Sequence, residues 1–67
     1  MSAESLIVAP DEAEIRLDRW LRRHFRDVPQ AMIERLCRTG QVRVDGRRAT
    51  ARLRLAPGQS VRVPRLA

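Results

Sequence analysis

Apolar and polar positions follow three rhythms along this chain, and each rhythm marks a different kind of element. Leu6-Ile7-Val8 is a short apolar run with two β-branched residues, closed by Pro10 and followed by the acidic stretch Asp11 to Glu14. It reads as an edge strand at about 5–9 where a sheet edge lies within reach, and as a disordered tail where none does. From Leu17 the spacing turns helical, with Leu17, Trp20, Leu21, His24 and Phe25 on one face and Arg19, Arg22, Arg23 and Arg26 on the other. This predicts a helix over 17–26, with Asp18 at the positive end of its dipole and Arg26 at the negative end. Asp27-Val28-Pro29 breaks it. Pro29 is suited to the first position of a second helix that runs to about Thr39 and ends at a left-handed Gly40. Met32, Ile33, Leu36 and Cys37 form the apolar stripe of that helix, leaving Gln30, Glu34, Arg35 and Arg38 outward.

After Gly40 the period becomes two. Val42 and Val44 share one side against Gln41, Arg43 and Asp45, and Asp45-Gly46 is a strong two-residue hairpin signal before Arg47 and Arg48 on the returning strand. Leu53 and Leu55 alternate with Arg52 and Arg54, Pro57-Gly58 predicts a type II turn, and Val61 and Val63 alternate with Ser60 and Arg62 until Pro64. The expected fold class is α+β, with two short amphipathic helices packed on a small antiparallel sheet. The expected divisions are an acidic segment over 1–15, a folded unit over 16–64, and an uncapped ending over 65–67 that reads as the cut edge of a longer chain.

Charge sharpens this picture. All fourteen basic residues are arginine, and all lie at or beyond Arg16, so that residues 1–15 carry −4, residues 16–67 carry +10, and the whole carries +6. Missing lysine reflects a compositional bias, but bias explains the type of cation and not its excess. Arginine binds phosphate through a planar, two-pronged donor set, and a sequence pI near 11.6 has the footprint of a nucleic-acid binder. An anionic membrane surface is disfavoured because the charge spreads over several elements instead of one helix.

Other classes fall away. A chain of this length supports one small core and no deep catalytic pocket. The single Cys37 permits neither an internal disulfide nor a cysteine-rich zinc site, and it reads as a small core residue in a reducing compartment, the cytoplasm. No apolar run spans a bilayer, and the first residues are acidic where a signal peptide is basic. No phosphate-binding glycine loop, paired carboxylates, metal-ligand cluster or activated serine is present, so no cofactor, metal or small-molecule substrate is expected. Trp20 and Phe25 both sit on the helix's apolar face, where they read as core instead of a base-stacking platform, and His24 at the edge of that face reads as a packed or half-exposed side chain without chemistry.

The runs RLDRWLRRHF, VPQAMIERLCRTGQVRVDGRR and LAPGQSVRVP, over Arg16 to Pro64, resemble the RNA-binding domain named after ribosomal small-subunit protein four, also called the alpha-L motif. With the preceding apolar strand and acidic stretch they look most like the N-terminal module of pseudouridine synthases acting on large-subunit ribosomal RNA. The resemblance implies a monomeric module whose second helix and hairpin dock on structured RNA, ribosomal or transfer RNA. By position the face is Gln30, Arg35, Arg38, Arg43, Arg47 and Arg48, with Arg22 and Arg23 as weaker members. Two positions depart from the pattern, Gln30 where a basic residue is common and Asp45 where asparagine is common. The aspartate that does the chemistry in such synthases lies in a separate domain, and none of Asp11, Asp18, Asp27 or Asp45 stands in for it. The chain is therefore expected to position substrate for a catalytic domain outside it, or to act as a free-standing ribosome-associated protein of the heat-shock type. A DNA-binding helix-turn-helix is disfavoured because period two replaces a third helix. A module for an acidic protein partner is distinguished by indifference to RNA.

Overall fold

The computed structural model describes residues 3–64; the ending over 65–67 lies outside them. Strand β1 (Ala3–Ile7) precedes a short 3-10 turn (Pro10–Glu12), helix α1 (Leu17–His24) and helix α2 (Gln30–Arg38), followed by strands β2 (Arg43–Val44), β3 (Arg47–Arg48) and β4 (Ser60–Pro64). The four strands form one antiparallel sheet in the order β1-β4-β2-β3. The fold is α+β, as the change of period from helical to alternating requires.

β1 lies at one edge, pairing Ala3 with Pro64 and Ile7 with Ser60. The alternating valines of β4, Val61 and Val63, are fully buried, as are Val42 and Val8. Against them pack Leu17, Trp20 and Leu21 of α1 and Ile33, Leu36 and Cys37 of α2, which makes a single core between helices and sheet. Trp20 is the largest side chain buried there, so the core assignment of that aromatic holds.

Several expectations need correction. α1 stops at His24, two residues short, because Phe25 leaves helical geometry (φ −136°, ψ 84°) while its N–H still bonds the Leu21 carbonyl. This turn keeps the Phe25 ring half-buried against the core. Pro29 is the residue before α2 instead of its first member, extended at φ −73° and ψ 158°, with its carbonyl accepting from the Met32 and Ile33 N–H groups. Met32 is 42% exposed and stands off the buried line of α2, which is Ile33, Leu36 and Cys37.

The segment around Leu53 and Leu55 forms no strand beyond an isolated Arg16–Arg54 bridge. Its carbonyls serve a helix instead of a ladder. Leu53 O accepts from Leu17 N at 2.8 Å and Ala51 O from Asp18 N at 2.9 Å, satisfying the first orphan donors of α1, whose N-cap position, Arg16, makes no side-chain cap. Leu55 is bonded on both sides, to Ile15 O and Glu14 N, and Glu14 is held there at φ 67°.

Candidate nucleic-acid interface

The face begins at the end of α2. Gly40, at φ 78°, closes the helix with the paired bonds of a Schellman motif, Gln41 N to Leu36 O at 2.9 Å and Gly40 N to Cys37 O at 3.2 Å. This reverses the chain directly from α2 into β2. The Arg43 side chain then folds back over the reversal, its Nε donating to Gly40 O at 2.9 Å. A Cβ at Gly40 would stand 3.0 Å from Arg48 Nε and 3.2 Å from Arg43 Nη2, so both guanidinium groups pack close over the bare Cα and would have to shift by a few tenths of an ångström for any side chain there.

The hairpin that carries Arg47 and Arg48 turns through Asp45 (φ 52°) and Gly46 (φ 79°), both left-handed as a type I′ turn demands. Asp45 earns its place there structurally: its Oδ1 accepts from Ser60 N at 3.0 Å while its own N–H donates to Ser60 O at 2.8 Å. Its negative charge is thereby anchored to β4 and not presented as a ligand. Arg43 pairs with Arg48 on one side and with Arg62 on the other, so like charges sit abreast across three strands. That arrangement costs stability in isolation and favours an anionic partner.

Arg35 and Arg38 lie exposed on the last turns of α2, and Arg47 and Arg48 are exposed on β3. Arg43 is half-buried by its backbone bonds. Arg22 joins Gln30, Arg16 and Arg19 around a shallow groove between the helices, and Arg23 is exposed on the last turn of α1. Gln30 is engaged internally. Its Nε2 donates to Asp18 Oδ2 at 3.0 Å and Glu34 Oε2 at 3.1 Å, and its Oε1 is buried without a partner. Among the described residues Arg16 is the only arginine held in an ion pair, with Asp18 at 2.8 Å.

Two arginines at this face escaped the sequence reading. Arg16 and Arg52 line an open groove of about 720 Å³ with Arg38 and Arg48, between α2 and the chain after β3. Arg52 carries no local signal, since its place depends on residues 51–55 leaving the sheet. Arg16 stands just before α1, a position periodicity does not mark.

Two buried carboxylates hold the scaffold under this face. Glu12 Oε1 accepts from Trp20 Nε1 at 2.8 Å and Ala9 N at 3.0 Å, and Oε2 accepts from His24 Nε2 at 2.9 Å. The Ala9 N–H, followed by Trp20 and His24, outweighs the opposing effect of burial and lowers the Glu12 pKa to about 2. Burial opposes ionisation of Asp18 as well, yet bonds from Gln30, Arg16 and the Arg19 N–H keep its pKa below the ordinary carboxylate value. Cys37 is shifted the other way, upward, by burial and then by the charges of Asp18 and Glu34. It is a packed thiol. Among the described residues no group of three or more His, Cys, Asp or Glu side chains is placed to hold a metal, and no helix is long and apolar enough to cross a membrane.

A basic face carried by a helix end and a tight hairpin, on a two-helix, four-strand scaffold, defines a small binding module. Residues 15–61 match the model of the S4 domain, and the chain belongs to that family of RNA-binding modules. It is similar to the ribosomal large subunit pseudouridine synthase C of Vibrio vulnificus (strain CMCP6), at 46% identity over 54 residues, covering 81% of this chain and 17% of the relative. The proteins of that name from Salmonella typhi and Escherichia coli (strain K12) are 40% and 38% identical over 63 residues, covering 94% of this chain and 20% of each. The chain thus spans about a fifth of the length of these curated relatives. What is matched is the S4 module, and the larger part of those relatives lies outside the aligned residues.

Proposed function

We propose that the module docks on structured RNA, with ribosomal RNA as its target class, through the face built by α2 and the β2–β3 hairpin. Arg35, Arg38, Arg47 and Arg48 supply phosphate contacts, Arg43 contributes from its braced position over Gly40, and Arg22 and Arg23 extend the surface along α1. Gln30, bonded to Asp18 and Glu34, sets the first turn of α2 at the border of this surface. The module works as a monomer in the cytoplasm and positions RNA for a pseudouridine synthase domain in a longer protein.

The observation that carries this reading is the unneutralised charge of the face. Its arginines stand beside one another without carboxylate partners among the described residues. An exposed arginine alone contributes little, but several held on rigid elements match the phosphate and 2′-hydroxyl surface by which folded RNA is recognised.

The test is an equilibrium titration against an RNA stem-loop and a DNA duplex of equal length over a range of salt. RNA is expected to bind more tightly, with affinity falling steeply as salt rises. Arg35→Ala with Arg38→Ala should weaken RNA binding about tenfold or more and reduce the salt slope by roughly 1 to 2, near one per lost phosphate contact. Equal affinity for RNA and DNA, unmoved by the double substitution, would leave bulk charge as the whole effect.

A further inference from the structure

The groove between α2 and the segment after β3 has a composition that phosphate contacts alone do not explain. Its rim is cationic, with Arg38, Arg48 and Arg52, but Glu34 opens into it as well. A carboxylate repels a phosphate, whereas it accepts hydrogen bonds from the N–H groups on the edge of an unpaired base. The floor is apolar and made of small side chains, Cys37, Ala49 and Ala51, which is why about 720 Å³ stays open there. Ala51 and Cys37 are packed into the core, so the floor is rigid. A single extruded nucleotide is chemically complementary to this lining, with an apolar base face for the floor, an N–H edge for Glu34, and a phosphate for the rim. Guanidinium planes also serve as stacking partners for bases where aromatic side chains are lacking.

We propose that this groove receives one unpaired nucleotide of the bound RNA, its base over Cys37, Ala49 and Ala51, its N–H edge on Glu34 and its phosphate among the rim arginines. The inference rests on the RNA-docking reading above and adds a preference for a stem interrupted by an extrahelical nucleotide. The neutral Cys37 thiol, its pKa raised by burial and by the nearby carboxylates, suits an inert floor.

Fluorescence anisotropy with two labelled hairpins tests it, one with an uninterrupted stem and one carrying a single unpaired adenosine in the same stem. The wild-type chain should bind the bulged hairpin roughly tenfold more tightly, the scale of one base stacked and hydrogen-bonded. Ala49→Leu, which fills the floor, should abolish that preference while affinity for the uninterrupted stem stays within about twofold, and Arg52→Ala, on the exposed rim, should weaken binding to both hairpins but to the bulged one roughly tenfold more, so that the preference disappears there too. Arg52→Ala removes no packed side chain, so it carries the test if Ala49→Leu misfolds. Equal binding to the two hairpins, or a preference that survives the substitutions, overturns the nucleotide groove. Failure of the docking reading has a different signature, the loss of any advantage of the uninterrupted RNA stem over DNA.

Discussion

Glu12 shows how much a single side chain settles in a module this small. Three donors converge on its carboxylate, and they tie the 3-10 turn to α1 through the buried Trp20 indole. Because its pKa falls from the usual 4.5 to about 2 on folding, its contribution is fully present above pH 4.5 and is lost as pH falls toward 2. Asp18, shifted in the same direction, adds to the loss. Urea denaturation across pH should therefore show stability declining through that acid window. Glu12→Gln should cost about 1–3 kcal/mol at neutral pH and make the decline shallower. Equal pH profiles for the two chains would refute the assignment. Little of this was legible in the sequence, where Glu12 reads as one member of a solvated acidic stretch. Two of its three partners lie eight and twelve positions away, and only the need of a buried indole N–H for an acceptor hints at such a residue. The engagement of Gln30 was hidden for the same reason. Periodicity places this residue outward on the second helix, yet Asp18 claims its amide across the helix pair.

At the level of elements, local rules read well where an element serves itself. The periodicity of α1 and α2, the left-handed Gly40, the Asp45-Gly46 turn and the Pro57-Gly58 turn all depend on neighbouring residues; at the last, Gly58 sits at φ 88° and Gln59 N bonds Ala56 O at 3.2 Å. Rules failed where an element serves another. Leu53 and Leu55 alternate like a strand, but the carbonyls around them are drawn to the uncapped start of α1. The same displacement brings Arg52 to the groove beside Arg38, which accounts for its absence from the sequence-based face. Gly40 joins stability and binding in one residue, since its left-handed backbone ends α2 and its bare Cα makes room for Arg43 and Arg48. Gly40→Ala should cost about 1–2 kcal/mol from backbone strain alone, lowering the thermal midpoint by several degrees. It should also weaken RNA binding at temperatures where the variant is fully folded. Unchanged RNA affinity in a folded Gly40→Ala chain would show that the two guanidinium groups are not held there for the ligand.

For the molecule as a whole, crowding of positive charge sets stability and binding against each other. Arg43, Arg48 and Arg62 are placed side by side on the sheet without carboxylates to offset them among the described residues. Screening relieves repulsion within the fold and weakens attraction to phosphate, so added salt should raise the thermal midpoint while it lowers RNA affinity. Parallel thermal melts and titrations over the same salt series would check the opposed signs, and a midpoint that fell with salt would remove self-repulsion from the account. The pairing of β1 with β4 has a mechanical consequence. Because Ala3 lies opposite Pro64, both ends of the described chain leave from the same end of one antiparallel ladder. A pull between them meets the β1–β4 bonds singly and in succession, as a zipper opens, instead of shearing them together. Tension from flanking segments would peel away the edge strand first, before it reached the arginine face on the far side of the sheet order.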